Sequence, residues 1–212
     1  MRFDKKSLFL YAVTDRHWLG KRSLVSVVKE SLDGGVTFVQ LREKDLKYEK
    51  FLSEANYIKR ICHDYHVPFV VNDNIDIARA VDADGVHVGQ SDMEVSEVRK
   101  LLGPDKIIGV SAQTVEQAIA AYKGGATYLG VGAVFPTGSK DDADDVSLET
   151  LKEICAAVPI PVVAIGGISL GNVKELAGTG IDGIAVISAI YAQEDICQAS
   201  KDLREAVAEV VK

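Results

Sequence analysis

The sequence predicts an α/β fold in one domain, a single (β/α)8 TIM barrel over residues 1–212. Three observations predict it. Short runs rich in β-branched and aliphatic residues alternate with longer amphipathic stretches, the runs number eight, and every second run is entered through a similar Gly/Asp turn. Strand then helix, repeated, implies parallel strands joined by right-handed crossovers. Eight units in 212 residues leave about 26 each, at the short end of the barrel range. An open doubly wound sheet is the alternative that the same alternation permits.

The runs are 8–14, 38–44, 69–73, 85–89, 107–112, 128–134, 161–167 and 183–188. Helical patterns occupy 24–32, 48–65, 115–123 and 148–157, and a last one at 196–211 closes the chain. The turns that enter the even-numbered runs are Asp33-Gly34-Gly35-Val36, Val81-Asp82-Ala83-Asp84-Gly85, Lys123-Gly124-Gly125-Ala126 and Gly180-Ile181-Asp182-Gly183. Glycine there allows the positive φ with which a helix ends before a strand begins. No linker or low-complexity stretch divides the chain, and the acidic run 141–145 is its one compositional oddity.

Composition narrows the function. Hydrophobic residues make up 47% of the chain, enough for a substantial core. A net charge of −7 argues against a nucleic-acid partner, which needs a basic patch. An anionic substrate stays compatible, provided it meets a local cluster of cations, backbone N–H groups or a metal. The three cysteines, Cys62, Cys155 and Cys197, are odd in number and widely spaced, which fits reduced thiols better than a disulfide framework. The opening Met-Arg-Phe-Asp-Lys-Lys has no apolar signal region, and no apolar run has the length to span a membrane. A soluble, cytoplasmic protein is expected, and homo-oligomerisation is left open.

Polar residues on the strands carry the functional information. In the second run, Gln40, Arg42 and Lys44 share one face and Val39 and Leu41 the other, because strand period is two. The apolar pair belongs against the helices, so the polar set should point into the barrel near its C-terminal mouth. Two cations there are either paired within a salt-bridged plug or poised to bind an anion. The third run ends Asn72-Asp73, and the fourth is followed by Gln90-Ser91-Asp92. Two carboxylates beside two cations suit a hard ion such as Mg2+, which takes oxygen ligands and bridges to phosphates. Asp92 has a competing reading as N-cap of a helix starting near Met93, and Asp73 as a turn residue.

The fifth run presents Ser111 to the mouth, with Thr114 as N-cap of the helix that follows. The sixth opens into Thr137-Gly138-Ser139-Lys140, whose hydroxyls, glycine and lysine suit a phosphate. An ordinary polar loop would read the same, and the glycine spacing is not that of a Walker A loop. Gly166-Gly167 after the seventh run and Ile187-Ser188 after the eighth match the position of the usual barrel phosphate site. His87 lies inside the fourth run, either lumen-facing or a satisfied core residue. His63 and His66 end a helix, and His17 with Trp18 sits in the first loop. No zinc spacing, Ser–His–Asp set or activated thiol stands out.

Taken together these motifs resemble the thiamin-phosphate synthase (thiamine-phosphate pyrophosphorylase) family. The resemblance runs from Tyr11-Ala12-Val13-Thr14-Asp15 to Gly183-Ile184-Ala185-Val186-Ile187-Ser188-Ala189. Between them come Gln40-Leu41-Arg42-Glu43-Lys44, Asn72-Asp73, Gly85-Val86-His87-Val88-Gly89-Gln90 with Asp92, Gly109-Val110-Ser111, Phe135-Pro136-Thr137 through Lys140, and Ala164-Ile165-Gly166-Gly167-Ile168. Order and spacing together make it specific.

The resemblance implies a transferase of thiamine biosynthesis. It would join an aminopyrimidine carried as its diphosphate to a thiazole phosphate, releasing pyrophosphate, with Mg2+ as cofactor and these small molecules as its partners. Gln40, Arg42, Lys44, Asn72, Ser111 and Lys140 would contact the pyrimidine diphosphate, with Arg42, Lys44, Lys140 and Ser111 catalytic. Asp73 and Asp92 would hold Mg2+. Thr137, Gly138, Ser139, Gly167, Ile187 and Ser188 would hold the thiazole phosphate. The implied route, ionisation to a pyrimidine carbocation that the thiazole nitrogen traps, needs no strong general base. Two departures stand out: Gly138 where the family usually has a hydroxyl, and the acidic run after Lys140 where a second basic residue is common. Two rival readings fit the same barrel. A thiazole tautomerase would carry a histidine after strand five, where this chain has Gln113. A catalytically silent barrel would only bind thiamine phosphate.

Overall fold

The computed structural model describes residues 3–137 and 145–211. Its strands are β1 Leu10–Val13, β2 Phe38–Leu41, β3 Phe69–Asn72, β4 Gly85–Val88, β5 Ile107–Ala112, β6 Tyr128–Val131, β7 Val162–Ile165 and β8 Gly183–Val186. They pair in parallel in chain order, and β8 closes onto β1 through Leu10↔Ile184. The closed barrel removes the open-sheet alternative and leaves no strand edge exposed.

Helices α1 Leu24–Asp33, α2 Tyr48–Asp64, α3 Ile75–Ala80, α4 Val95–Leu102, α5 Val115–Lys123, α6 Leu148–Ala157, α7 Ser188–Tyr191 and α8 Ile196–Ala208 surround the strands. Several start where a side-chain oxygen accepts an otherwise unpaired N–H, as Ser23 does from Ser26, Thr114 from Gln117 and Asp195 from Gln198. The seventh unit has only the short 3-10 turn Val173–Leu176. Several predicted runs are longer than the strands they hold: those at 128–134, 161–167 and 183–188 contain β6, β7 and β8, which end at Val131, Ile165 and Val186, and the first two runs also overreach. Residues 5–8 form a 3-10 turn before β1, and β2 stops at Leu41 rather than reaching Lys44.

The entry turns differ in how they supply positive φ. Gly35 (φ 94°), Gly125 (φ 97°) and Gly180 (φ 91°) do so in three of them, but before β4 it is Asp82 (φ 51°), while Gly85 lies in the strand. A Cβ at Gly85 would sit 1.9 Å from the Ile107 carbonyl oxygen, so that glycine is required by strand packing.

Two apolar clusters follow from strand alternation. The larger lies between strands and helices and takes Leu10, Ala12, Val39 and Leu41. The smaller fills the lumen with Leu8, Tyr11, Val13, Phe38, Val70, Ile107, Tyr128, Val163 and Ala185. Each large side chain fully buried in either contributes roughly 1.5–3 kcal/mol from apolar area removed from water. The filled lumen makes the barrel a packed core and not a pore.

Candidate active site

The β2 side chains are placed by period two and then by where the strand ends. Gln40, inside the lumen cluster's face, is 4% exposed and its Nε2 donates to the Tyr11 hydroxyl. Arg42, one residue past β2, is 8% exposed at the rim. Its N–H donates to Thr14 Oγ1 at 2.9 Å and its Nη1 to Asp15 Oδ2 at 3.0 Å. Lys44 does not continue the strand face. It sits in the loop after β2, exposed, and lines the same cavity as Arg42.

Asn72 ends β3 and Asp73 follows it with φ 59°, a left-handed backbone that asparagine and aspartate tolerate better than most residues. The Asp73 N–H donates to the His87 carbonyl at 2.8 Å, which ties this strand end to β4. Asn72 Nδ2 donates to Asp73 Oδ2 at 2.5 Å. Asp92 is not a helix cap. α4 begins at Val95 with Glu94 before it, and the Asp92 carboxylate instead accepts the Gly89 N–H at 2.7 Å, folding the β4–α4 loop back on itself. Both carboxylates are exposed and stand after neighbouring strands. Among the described residues no group of three or more His, Cys, Asp and Glu could hold a metal ion by itself.

Ser111, in β5, bonds through Oγ to His87 Nε2 at 3.0 Å, and its carbonyl accepts from Gln90 Nε2 at 2.6 Å. His87 is therefore both lumen-facing and satisfied, with Nδ1 2.9 Å from the Tyr128 hydroxyl. Across the mouth, Gly167 has φ 65°, and a Cβ there would lie 2.5 Å from the Pro136 carbonyl oxygen and 2.6 Å from that of Phe135. The β6 and β7 loops thus touch backbone to backbone beside Thr137. Ile187 precedes α7 and Ser188 starts it, where the first N–H groups of a helix lack intrahelical partners. A cavity of about 860 Å3 joins Asp15, Arg42, Lys44, Thr137, Gly167 and Ser188. Asn72, Asp73, Asp92 and Ser111 are not in its wall and lie on another part of the mouth. Gly138, Ser139, Lys140 and residues 141–144 of the acidic run lie outside the described residues.

Four side chains at or beneath the mouth were not singled out from sequence. Asp15 binds Arg42, and its other oxygen accepts the His17 N–H at 2.9 Å. Its position, two residues after β1 ends, was the available signal. Tyr11 and Tyr128 carry lumen hydroxyls that period two alone places on the inner face. Glu43, between Arg42 and Lys44, has a side chain only 2% exposed and lies 2.7 Å from Arg16 Nε.

Fold and mouth together define a (β/α)8 barrel of the class whose enzymes carry their sites on the C-terminal face of the strands. The chain belongs to the thiamine monophosphate synthase family, whose model matches residues 10–190. It is 54% identical over 194 residues to the thiamine-phosphate synthase of Clostridium tetani, covering 92% of this chain and 93% of that one. Against the thiamine-phosphate synthase of Clostridium acetobutylicum it is 50% identical over 203 residues, 96% and 94% of the two chains. The solved thiamine phosphate pyrophosphorylase of Pyrococcus furiosus superposes with a TM-score of 0.91 at 42% identity, over 98% of this chain and 99% of that one. Among the described residues no helix is long and apolar enough to cross a membrane.

Proposed function

We propose that this chain joins an aminopyrimidine diphosphate to a thiazole phosphate, forming thiamine phosphate and releasing pyrophosphate. Family membership supports the reaction. The observation that supports its location is Arg42, held at the rim by Asp15 and facing the Gly167 turn across one cavity. Arg42 and Lys44 bind the diphosphate, joined by Lys140. Asn72 and Ser111 place the pyrimidine with Gln40. The turn at Gly167, the start of α7 at Ile187-Ser188, and Thr137, Gly138 and Ser139 take the thiazole phosphate.

The donor set fits Mg2+. Asp73 and Asp92 offer oxygen only, from neighbouring strand ends, and Mg2+ typically takes one or two carboxylates and completes its shell with substrate phosphate and water. When bound, Mg2+ neutralises charge growing on the departing diphosphate. The chain's part is electrostatic and positional. Arg42 and Lys44 stabilise the same charge with preorganised donors as the methylene C–O bond breaks. The walls hold the thiazole nitrogen against the resulting cationic carbon and exclude water, so that the new C–N bond forms instead of an alcohol. No side chain has to remove a proton from carbon. Three free thiols agree with a cytoplasmic setting.

The test is to mix the protein with both substrates, with and without Mg2+, and measure pyrophosphate. Metal-dependent release only when both substrates are present is expected. A silent barrel or a tautomerase would release none.

A further inference from the structure

Five polar side chains cross the lumen in an unbroken series. Gln40 Nε2 donates to the Tyr11 hydroxyl, which lies 2.8 Å from the Tyr128 hydroxyl. The Tyr128 hydroxyl lies 2.9 Å from His87 Nδ1, and His87 Nε2 lies 3.0 Å from Ser111 Oγ. The series visits β2, β1, β6, β4 and β5, and its two ends are the side chains read above as touching the pyrimidine.

The barrel is shaped around it. A Cβ on Gly109 would sit 2.3 Å from the Tyr128 hydroxyl and 2.5 Å from His87 Nδ1, and one on Gly130 would sit 3.1 Å from His87 Cε1. Glycine weakens a strand interior, and its presence at both positions is explained by the two rings that occupy the space. Tyr11 and Phe38 pack edge-on to Tyr128 at 5.9 and 5.7 Å between centroids, fixing that ring from two sides.

Proton counting gives the series a direction. Each phenol has one proton to donate, and a neutral imidazole has one donor and one acceptor nitrogen. With the Gln40 amide donating inward, the Tyr11 proton goes to Tyr128 and the Tyr128 proton to His87 Nδ1. His87 is then the Nε2–H tautomer, donates to Ser111 Oγ, and leaves the Ser111 proton for a group at the mouth. Reversing the amide reverses every bond. Burial holds both phenols well above their usual range, so neither leaves the series by ionising.

We infer that these side chains form one polarised relay in which the amide orientation of Gln40 dictates the tautomer of His87 and the direction in which Ser111 donates. Tyr11, Tyr128 and His87 are positioning residues. The relay locks complementary polarity at its ends, with Gln40 keeping Oε1 as an acceptor when Ser111 keeps a proton to donate. Its meaning for the pyrimidine rests on the synthase reading, but its existence does not.

The test is ligand-free nitrogen NMR of the histidine side chains, with Gln40→Met, Tyr11→Phe and Tyr128→Phe as variants and the backbone spectrum as the check on folding. His87 in the wild type is expected as a single Nε2–H tautomer. Gln40→Met and Tyr11→Phe, which touch no atom of His87, are expected to populate both tautomers. An Nδ1–H tautomer in the wild type, or nitrogen shifts that ignore the folded variants, overturns the relay. In turnover, Tyr128→Phe is expected to lower kcat/KM for the pyrimidine diphosphate ~10-fold, as for a lost buried hydrogen bond, and leave KM for the thiazole phosphate unchanged. Equal losses for both substrates would also overturn it. No pyrophosphate from the wild type would sink the synthase reading, and the nitrogen shifts would still decide the relay.

Discussion

Arg42 Nη1 and Asp15 Oδ2 are 3.0 Å apart across the β1–β2 rim, with 7% and 19% of their side chains exposed. The pair aims a guanidinium before any ligand arrives, and the second Asp15 oxygen anchors the next turn through His17. Asp15→Asn keeps an oxygen for that turn but replaces a carboxylate by an amide against the guanidinium. The expected result is a kcat/KM for the diphosphate substrate ~10-fold lower and a stability loss of about 2 kcal/mol, the scale of a hydrogen bond to a charged group. Urea melts and steady-state kinetics check the two separately, and unchanged kinetics would remove orientation of Arg42 from the account.

Asp73 has a left-handed backbone, so alanine there would mix strain with loss of charge. Asp73→Asn is the cleaner variant because asparagine tolerates the same φ. Loss of a carboxylate that serves the diphosphate through Mg2+ should lower kcat at least ~10²-fold and raise the Mg2+ concentration needed for half-maximal rate. Asp73→Asn turning over like the wild type at low Mg2+ would take this residue out of the metal site.

What the sequence made legible followed periodicity, and what it hid depended on where periodicity stops. The inner and outer faces of β2 are readable because Phe38 and Gln40 alternate with Val39 and Leu41, and the two clusters divide along that line. Lys44 broke the pattern because the strand ends at Leu41, and no residue type announces that end. Asp92 looked like a cap because a helix was near, yet the helix begins at Val95 and the carboxylate is taken by Gly89. The Tyr128–His87 contact joins residues 41 apart in sequence and arises from barrel closure, which local pattern does not encode. The Asp15–Arg42 pair, 27 residues apart, arises the same way.

Gly167 is the point at which the β6 and β7 loops meet. Its positive φ disfavours any side chain, and a Cβ would collide with two carbonyl oxygens of the facing backbone, which has no rotamer by which to withdraw. Its own carbonyl accepts from Asn172 Nδ2 at 2.9 Å, so the turn is held from behind as well. Gly167→Ala should cost about 3 kcal/mol, the upper range for stored backbone strain, and raise KM for the thiazole phosphate ~10-fold or more by displacing the turn. KM for the pyrimidine diphosphate should change less. A crystal structure of the variant with the turn in place and KM unaltered would contradict the assignment of this turn to the thiazole phosphate.

Glu43 supplies a prediction about pH. Its side chain is 2% exposed, one oxygen pairs with Arg16, and the other, Oε1, is buried without a hydrogen-bond partner among the described residues. Burial lifts this carboxyl above the usual carboxylate range, and Arg16 opposes the shift without cancelling it. A folded-state pKa above the unfolded value means that the folded protein binds more protons between the two. Stability from this group is therefore gained as pH falls through the folded pKa and is complete below the unfolded value near about 4.3. Glu43→Gln removes the titration but keeps the shape. The unfolding free energy of the wild type minus that of the variant should accordingly rise between neutral pH and about pH 4, when both are measured in urea at matched salt. A difference that falls on acidification would mean that the ion pair with Arg16 outweighs the cost of burial, and would reverse the sign of this group's contribution.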